Sequence, residues 1–197
     1  MNIEIIAELA QGFEGSLKQS QLLMKAASAA GADAAKYQLV YADELATPDY
    51  KYYELFKTLE MTDKEWTDLS EYARELDVKL YLDIFGSQSL SLAEKIGAAA
   101  IKLHGTDITN IGLLNDVASS TMGKVLLGAG GAYADELQQA LEILQSKMVI
   151  VLLGYQGYPT PDDKNQIARV KYLQESIGNT FSNVILGFAD HAAPDNP

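Results

Sequence analysis

The stretch KLYLDIFGSQSLSLAEKIGAAAIKL, residues 79–103, indicates the fold class of the chain. It opens with an apolar run typical of a buried strand, Lys79–Ile84, and closes with another, Ala99–Leu103. Between these runs, Ser87 or Ser89 can cap the start of a helix. A strand, a helix and a second strand in this order are typical of a parallel βαβ unit.

The same alternation extends along the whole chain. Short apolar runs are separated by longer segments with helical spacing of their apolar residues. The runs are nearly continuous rather than alternating, as expected for parallel strands covered on both faces. Besides the two runs above, the predicted strands are Ile3–Glu8, Ala34–Gln38, Lys124–Gly128, Met148–Leu153 and Asn183–Phe188.

Several helix ends can be read directly. Two capping boxes are predicted, Ser16 with Gln19 and Thr62 with Glu65. Thr160 followed by Pro161 predicts the start of the last helix, because proline suits the first helical position. The segment from Val40 to Leu59 is rich in tyrosine and acidic residues, and we expect it to fold over one mouth of a barrel formed by these strands.

About seven βα units leave two architectures, a doubly wound open sheet or a (β/α)8 barrel. The turn after Glu8, residues 9–15, lacks the GxGxxG fingerprint, which disfavours the open sheet as a dinucleotide-binding fold. We therefore predict an α/β protein with an incomplete (β/α)8 TIM barrel, forming a single domain over residues 1–197. An eighth strand cannot be read from the sequence.

Composition narrows the possible functions. With 48% hydrophobic residues the chain is expected to be globular, and without cysteine it has neither disulfides nor thiolate zinc sites. A net charge of −12 argues against nucleic-acid binding. No apolar run reaches the roughly 18 residues of a membrane helix, and Met1 to Glu8 lacks a secretory pattern. We expect a cytoplasmic protein without a membrane partner, and a homo-oligomer, because an incomplete barrel exposes strand edges.

Polar residues are found where the predicted strands end. In parallel barrels this is the edge that carries the reactive groups. Lys36 is the most informative of them, because an ammonium inside an apolar strand needs an anion beside it. The candidate site residues are Glu8, Lys36, Gln38, Asp83, Lys102, Asp107, Gln156, Tyr158 and His191.

Five short motifs, in order along the chain, resemble those of N-acetylneuraminate (sialic acid) synthases. They are Ala7-Glu8-Leu9-Ala10, Gly31-Ala32-Asp33-Ala34-Ala35-Lys36-Tyr37-Gln38, Lys102-Leu103-His104-Gly105-Thr106-Asp107, Tyr155-Gln156-Gly157-Tyr158-Pro159-Thr160-Pro161 and Gly187-Phe188-Ala189-Asp190-His191. The resemblance implies a barrel enzyme that condenses phosphoenolpyruvate with an N-acetylated hexosamine such as N-acetylmannosamine, giving a nonulosonic acid and phosphate.

The resemblance also implies roles for the candidate residues. Lys36 and Lys102 would hold the carboxylate and phosphate of phosphoenolpyruvate. Gln38, Gln156 and Tyr158 would line the two substrates. These are the positions at which charge must be balanced and the reactants oriented.

The remaining roles concern proton transfer and a divalent metal, Mn or Mg. Asp107 takes the place of a carboxylate that contacts the sugar, and Glu8 lies where the family has an acid near the sugar. His191 matches one of two metal-binding histidines. For Asp83 three roles stay open: a catalytic substitute, a metal ligand or a loop cap.

The chain departs from the family pattern at several positions. Gly12-Phe13 replaces Asn-His, Asp83-Ile84 replaces Thr-Pro, Gly105 and Ala189 replace serines, and the loop 128–131 is glycine-rich instead of hydroxyl-rich. Glycine amides can still cradle an anion. The changes at Phe13 and Asp83 favour an alternative in which phosphoenolpyruvate condenses with another sugar. A third possibility is a truncated, non-catalytic barrel that acts as a binding or regulatory subunit.

Overall fold

The computed structural model describes residues 3–193, in which strands and helices alternate as the sequence predicts. The strands are β1 (Ile6–Ala10), β2 (Ala34–Gln38), β3 (Lys79–Asp83), β4 (Ala100–Leu103), β5 (Lys124–Gly128), β6 (Met148–Leu153) and β7 (Val184–Phe188). The α-helices are α1 (Leu17–Ala29), α2 (Ala42–Leu45), α3 (Tyr53–Leu59), α4 (Asp63–Glu75), α5 (Ser87–Lys95), α6 (Ile111–Ser119), α7 (Ala134–Ile143) and α8 (Arg169–Ile177). The order of strands in the sheet is their order in the chain.

The chain divides into two compact units, Met1–Ile101 and Lys102–Pro197. In the first unit β1, β2 and β3 pair in parallel, and in the second β5, β6 and β7 do the same. No helix in residues 3–193 is both long and apolar enough to cross a lipid bilayer. The single domain expected from the sequence stays a prediction.

Three of the predicted strands, β2, β5 and β6, have the predicted bounds, and the others differ by one to three residues. The largest difference is at β1, which runs from Ile6 to Ala10 and not from Ile3 to Glu8. Ile3 is 82% exposed, so its apolar side chain does not mark a buried strand. At the other end the register shifts between Glu8 and Ala10, and Ala10 has a positive φ of 44°. This bulge prolongs the strand beyond Glu8.

An aromatic cluster forms part of the core of the first unit. Phe13, Tyr37 and Trp66 are fully buried, and their rings meet edge to face with centroids 5.5 to 6.4 Å apart. The Tyr37 hydroxyl donates a hydrogen bond of 2.7 Å to the carbonyl of Ser20 in α1. Phe13, which the sequence suggested as a determinant of the acceptor sugar, therefore packs in the core.

The N-terminal caps of two helices, α1 and α5, differ from those predicted. The side chain of Ser16 caps α1 by accepting from the Gln19 amide, but the Gln19 side chain donates to the carbonyl of Gly12, so the box is half formed. The Thr62–Glu65 box is complete. At α5 the N-cap is Gly86, and Ser89 satisfies the amides of the preceding turn.

The last helix begins later than predicted. A short 3-10 turn, Asp162–Lys164, follows Pro161, and α8 begins only at Arg169. Gln166 has a positive φ of 46°, which interrupts helical geometry between the two segments. Ile167 consequently lies before this helix and is 62% exposed.

Truncating the aromatic cluster is expected to destabilise the protein strongly. Phe13→Ala removes a fully buried ring, which costs about 3–5 kcal/mol in the free energy of unfolding. Tyr52→Ala, at a ring that is 47% exposed, serves as the control and is expected to cost less than about 1 kcal/mol. Urea unfolding followed by circular dichroism measures both. Equal losses would contradict a core role for Phe13.

Candidate active site

A buried ion cluster lies at the carboxyl ends of the first three strands. Glu8 of β1 is paired in register with Lys36 of β2, and Asp83 ends β3 opposite Gln38. The ammonium of Lys36 lies 2.7 Å from Oδ1 of Asp83 and also contacts Oε2 of Glu8. Because side chains alternate along a strand, Lys36 projects from the face opposite to Tyr37, which packs against α1.

The three charges of the cluster differ in burial. The side chains of Lys36 and Asp83 are 5% and 0% exposed, whereas that of Glu8 is 50% exposed. Burial alone lowers the pKa of Lys36, but attraction to Asp83 and Glu8 outweighs burial, so the pKa lies above its ordinary value. Of the two carboxylates that contact Lys36, that of Glu8 is the one accessible to solvent.

Gln38 is held beside this cluster by a residue that the sequence interpretation overlooked. Gln11 lies in the turn after β1, and its side-chain amide nitrogen, Nε2, donates a 2.7 Å hydrogen bond to Oε1 of Gln38. With its oxygen accepting from Gln11, the side-chain orientation of Gln38 is defined. The bond joins positions 27 residues apart, so local spacing could not reveal it.

Glu44 is a second overlooked residue, in the segment that we expected to fold over a barrel mouth. Its carboxylate accepts hydrogen bonds from the amides of Gln88 (2.6 Å) and Ser89 (3.2 and 3.3 Å) at the start of α5. A Cβ at Gly86 would lie 2.5 Å from Glu44 Oε1, so glycine is needed for this approach. The protein therefore fills the anion-binding position at this helix start with its own carboxylate.

In the second unit, His191 is held by main-chain and side-chain contacts. Its Nδ1–H donates to the carbonyl of Tyr155 (2.7 Å), and the hydroxyl of Tyr158 lies 3.3 Å from Nε2. The Tyr158 and His191 rings are 4.3 Å apart. Because a carbonyl only accepts, Nδ1 carries the proton and the neutral ring presents the Nε2 lone pair.

Asp190, the neighbour of His191 in the chain, is hydrogen-bonded to other groups. Its carboxylate accepts from the Ala192 amide (3.0 Å) and from the side chain of Asn165 (3.3 Å). These hydrogen bonds, led by that of Ala192, hold the pKa of Asp190 below its ordinary value. The carbonyl of Tyr155 orients the histidine ring.

The glycine-rich turns after β4 and β5 meet at very short range. A Cβ at Gly105 would lie 2.9 Å from the carbonyl oxygen of Gly130, and a Cβ at Gly128 would lie 2.9 Å from the nitrogen of Gly105. Neither position accepts a side chain unless the backbone moves. The replacement of the family's serine by Gly105 thus belongs to this close backbone contact.

The other predicted residues are placed as follows. Lys102 lies on β4 and Asp107 ends the 3-10 turn that follows it, both half-buried. Gln156 lines a cavity of about 500 Å³ in the second unit. Within residues 3–193 no three His, Asp or Glu side chains are grouped as metal ligands. The structure thus brings together Glu8, Lys36 and Asp83 in one unit, and Tyr158 and His191 in the other.

These features define an α/β protein of the (β/α) barrel class, with seven strands in the part of the chain that the structure describes. Residues 23–195 match the model of the NeuB family, and the chain belongs to that family. The resemblance inferred from the sequence motifs is confirmed.

Named relatives agree with this assignment. The N,N'-diacetyllegionaminic acid synthase of Legionella pneumophila is 26% identical over 212 residues, covering 97% of this chain and 58% of the relative. An uncharacterized protein of Methanocaldococcus jannaschii is 29% identical over 191 residues, covering 95% of this chain and 55% of that protein. This chain thus spans little more than half the length of these relatives.

A solved structure gives the same result. The N-acetylneuraminic acid synthetase of Leptospira borgpetersenii, determined in complex with citrate, superposes with a TM-score of 0.89 at 25% identity. The match covers 98% of this chain and 66% of that one. The predicted fold class, an incomplete barrel, is confirmed.

We expect the loss of Asp83, the buried partner of Lys36, to lower the free energy of unfolding far more than the loss of Asp68, which is partly exposed. Asp83→Asn should lower the free energy of unfolding by on the order of 3 kcal/mol, because it breaks a buried pair. Asp68→Asn breaks a pair of the same length, 2.7 Å, between the exposed Lys64 and a partly exposed Asp68, and should cost less than about 1 kcal/mol.

The contribution of the Lys36–Asp83 pair to stability depends on pH. The pKa of Lys36 in the folded state is raised above its ordinary value of 10.5. The stabilisation from the pair is therefore complete below pH 10.5 and is lost as the pH rises through the folded-state pKa. Carbon-13 NMR of the lysine side chain in wild type and Asp83→Asn measures this, and the pKa should fall in the variant. An unchanged pKa would contradict the pairing.

We also predict which nitrogen of the neutral His191 ring carries the proton. Nitrogen-15 NMR of the neutral ring should show the proton on Nδ1, because the Tyr155 carbonyl accepts from it. Tyr158→Phe removes the hydroxyl near Nε2 and should leave the tautomer unchanged. Protonation of Nε2 in the neutral ring would contradict the assigned hydrogen bond.

Proposed function

We propose that this chain is the barrel part of a synthase that condenses phosphoenolpyruvate with an acetamido sugar resembling N-acetylmannosamine. The product is a sialic acid-type nonulosonic acid, and phosphate is released. The observation that carries the proposal is Lys36, a buried cation at the strand ends whose partner Glu8 is half-exposed. Membership of the NeuB family and the names of its synthase relatives support it.

In this proposal Lys36 receives the carboxylate of phosphoenolpyruvate. The arriving anion displaces Glu8, while Asp83 stays buried and keeps the ammonium in place. Glu8, once released, is free to accept a hydrogen bond from the sugar. Gln38, oriented by Gln11, lines the same end of the strands.

The reaction forms one carbon–carbon bond and releases one phosphate. The enol carbon of phosphoenolpyruvate attacks the aldehyde carbon of the sugar, water adds to the resulting cation, and phosphate leaves. Lys102 balances the charge of the phosphate, and Asp107 relays a proton at the sugar oxygen. Gln156 and Tyr158 complete the substrate lining. Preorganised polar groups of this kind stabilise charge as it develops.

A divalent metal, Mn or Mg, would polarise the sugar aldehyde when bound. The fit of the described residues to such a metal is incomplete, since residues 3–193 contain no group of three candidate ligands. His191 has the tautomer of a metal ligand, with Nδ1–H bound to a carbonyl, although Nε2 lies 3.3 Å from the Tyr158 hydroxyl. A metal site that includes His191 therefore needs ligands beyond those described.

A second candidate function follows from Asp83. A buried carboxylate at this position offsets the charge of Lys36, where the family pattern has a neutral threonine. This favours an acceptor other than N-acetylmannosamine, or a binding role without catalysis. Phe13 no longer supports a different acceptor, because it is buried in the aromatic cluster.

We also propose that the protein works as a homo-oligomer in the cytoplasm. Support for self-association comes from apolar side chains left exposed in the second unit. Ile185 on β7 is 53% exposed, and Tyr172 on α8 is 69% exposed. Apolar surface of this kind commonly marks interaction sites.

Binding of phosphoenolpyruvate tests the proposal without requiring full activity. Isothermal titration should show that phosphoenolpyruvate binds to the wild type. Its affinity for Lys36→Met should be lower by about tenfold or more, because a charge-assisted contact is lost. Lys64→Met is the matched control, since Lys64 is 81% exposed, and its affinity should equal that of the wild type. Phosphate release with a panel of acetamido sugars and aldoses then identifies the acceptor.

Two outcomes would contradict the proposal. One is the absence of phosphoenolpyruvate binding by a protein whose circular dichroism shows a complete fold. The other is equal affinity in wild type and a folded Lys36→Met variant. Because Lys36→Met leaves two carboxylates without their cation, Lys36→Arg, which keeps the charge, provides a second comparison.

A further inference from the structure

A cavity of about 510 Å³ lies in the first unit, at the end of the strands opposite to the ion cluster. It is bordered by the residues that precede β2, β3 and β4 and by the last turns of α4. Lys79, which begins β3, lines this cavity, whereas Asp83, which ends β3, belongs to the ion cluster. A ligand bound in this cavity would therefore be separate from the candidate active site.

The guanidinium of Arg74 is held at the wall of this cavity by a buried hydroxyl. Its Nη2 donates to Oγ of Ser70 at 3.1 Å, and both residues line the cavity. Ser70 is only 3% exposed, and its hydroxyl donates in turn to the carbonyl of Ile96 (2.9 Å). Because Ser70 is neutral, this contact fixes the guanidinium without compensating its charge. The remaining donors of a guanidinium match the two oxygens of a carboxylate.

Asp77 provides a charge of the opposite sign beside Arg74. It follows α4, lines the same cavity and is exposed. Its φ of 53° lies in the left-handed region, which aspartate and asparagine adopt more readily than most residues. Its amide donates to the carbonyl of Arg74 (3.2 Å), so the turn that carries Asp77 is joined to the last turn of α4. A cation and a carboxylate thus border the cavity three positions apart in the chain.

The other charged residues that line the cavity already have partners. One carboxylate oxygen of Asp33 accepts from the amide of Ile5 (2.8 Å), and the ammonium of Lys79 lies 2.6 Å from the carboxylate of Glu4. The guanidinium and the carboxylate at the end of α4 are therefore the pair that a ligand can use.

The main chain around the cavity favours a cation beside the carboxylate. Two helices, α4 and α5, end next to it, at Glu75 and Lys95. The carbonyl end of a helix carries partial negative charge, which attracts an ammonium. Gly97, which follows α5, lines the cavity, and a Cβ at this residue would meet no atom within 4 Å. Open space therefore lies beside the end of α5.

We propose that this cavity binds a small zwitterion, an α-amino acid, whose carboxylate is bound by Arg74 and whose ammonium is bound by Asp77. A simple anion would meet the repulsion of the carboxylate, and a simple cation that of the guanidinium. The wall formed by Ala73, Val78 and Leu80 is apolar and can contact the side chain of the ligand. The site does not depend on the proposed condensation reaction.

The test begins with the ligand. Isothermal titration of the wild type with a panel of the common α-amino acids identifies the one that binds most tightly. Two analogues of that amino acid, one without the ammonium and one without the carboxylate, then measure the two charged contacts separately. Each analogue should bind about tenfold more weakly than the amino acid, because one charge-assisted contact is lost.

Two variants remove the same contacts from the protein. Arg74→Gln and Asp77→Asn should each weaken binding of the amino acid about tenfold. In Arg74→Gln the loss of the ligand's carboxylate should cost no further affinity, and in Asp77→Asn the same should hold for the ligand's ammonium. Lys64→Gln and Glu75→Gln are the matched controls, because both residues are exposed on α4 and do not line the cavity. Their affinities should equal that of the wild type.

Three results would overturn the site. The folded wild type binds no amino acid of the panel, or the cavity variants bind as tightly as the controls, or either analogue binds as tightly as the amino acid itself. Because Arg74 and Asp77 are exposed, both variants are expected to fold, which circular dichroism checks. Failure of phosphoenolpyruvate to bind would overturn only the proposed reaction and would leave this site in place.

Discussion

The ion cluster of Lys36 with Asp83 and Glu8 is the constraint on which the first unit depends. A buried ammonium is tolerated only with close carboxylates, so β1, β2 and β3 must be in the register that supplies them. The bulge after Glu8 carries the strand past this position. The cluster is thus both a structural requirement and the polar feature that distinguishes the ends of these strands.

The charge of the cluster has a functional consequence. Were Asp83 a neutral residue, Lys36 with Glu8 would be neutral overall, and an arriving carboxylate would meet one competitor. With Asp83 buried, the ammonium is already shared before a ligand arrives. In the proposed reaction, binding of an anion then depends on how readily Glu8, the more exposed partner, moves away. The proposal therefore makes a residue on β1 a determinant of binding at this end of the strands.

Much of the fold could be predicted because buried parallel strands are continuous apolar runs. β2, β5 and β6 have the predicted bounds, since their residues are mostly buried. The prediction fails where apolar residues are exposed, as at Ile3, or where backbone conformation interrupts a helix, as at Gln166. Side-chain exposure and positive φ values arise from tertiary contacts, which periodicity does not record.

The residues of the candidate site stay a prediction, and the contacts among them could be predicted only in part. The sequence required an anion beside Lys36 but did not identify which carboxylate supplies it. Glu8 is one partner, and Asp83 is the other. Gln11, which binds Gln38, is 27 residues away from it in the sequence. Gln88, whose amide is capped by Glu44, is 44 residues away from that carboxylate. Residues joined only by folding, such as these, have no local pattern that reveals them.

The close contact between the turns after β4 and β5 limits the substitutions that either turn can accept. A Cβ at Gly105 would meet the carbonyl oxygen of Gly130, and a Cβ at Gly128 would meet the nitrogen of Gly105. A serine introduced at position 105 alone would push the turn after β5 aside. A side chain at this position therefore requires a compensating change in that turn, so the two turns are coupled in the substitutions that they tolerate.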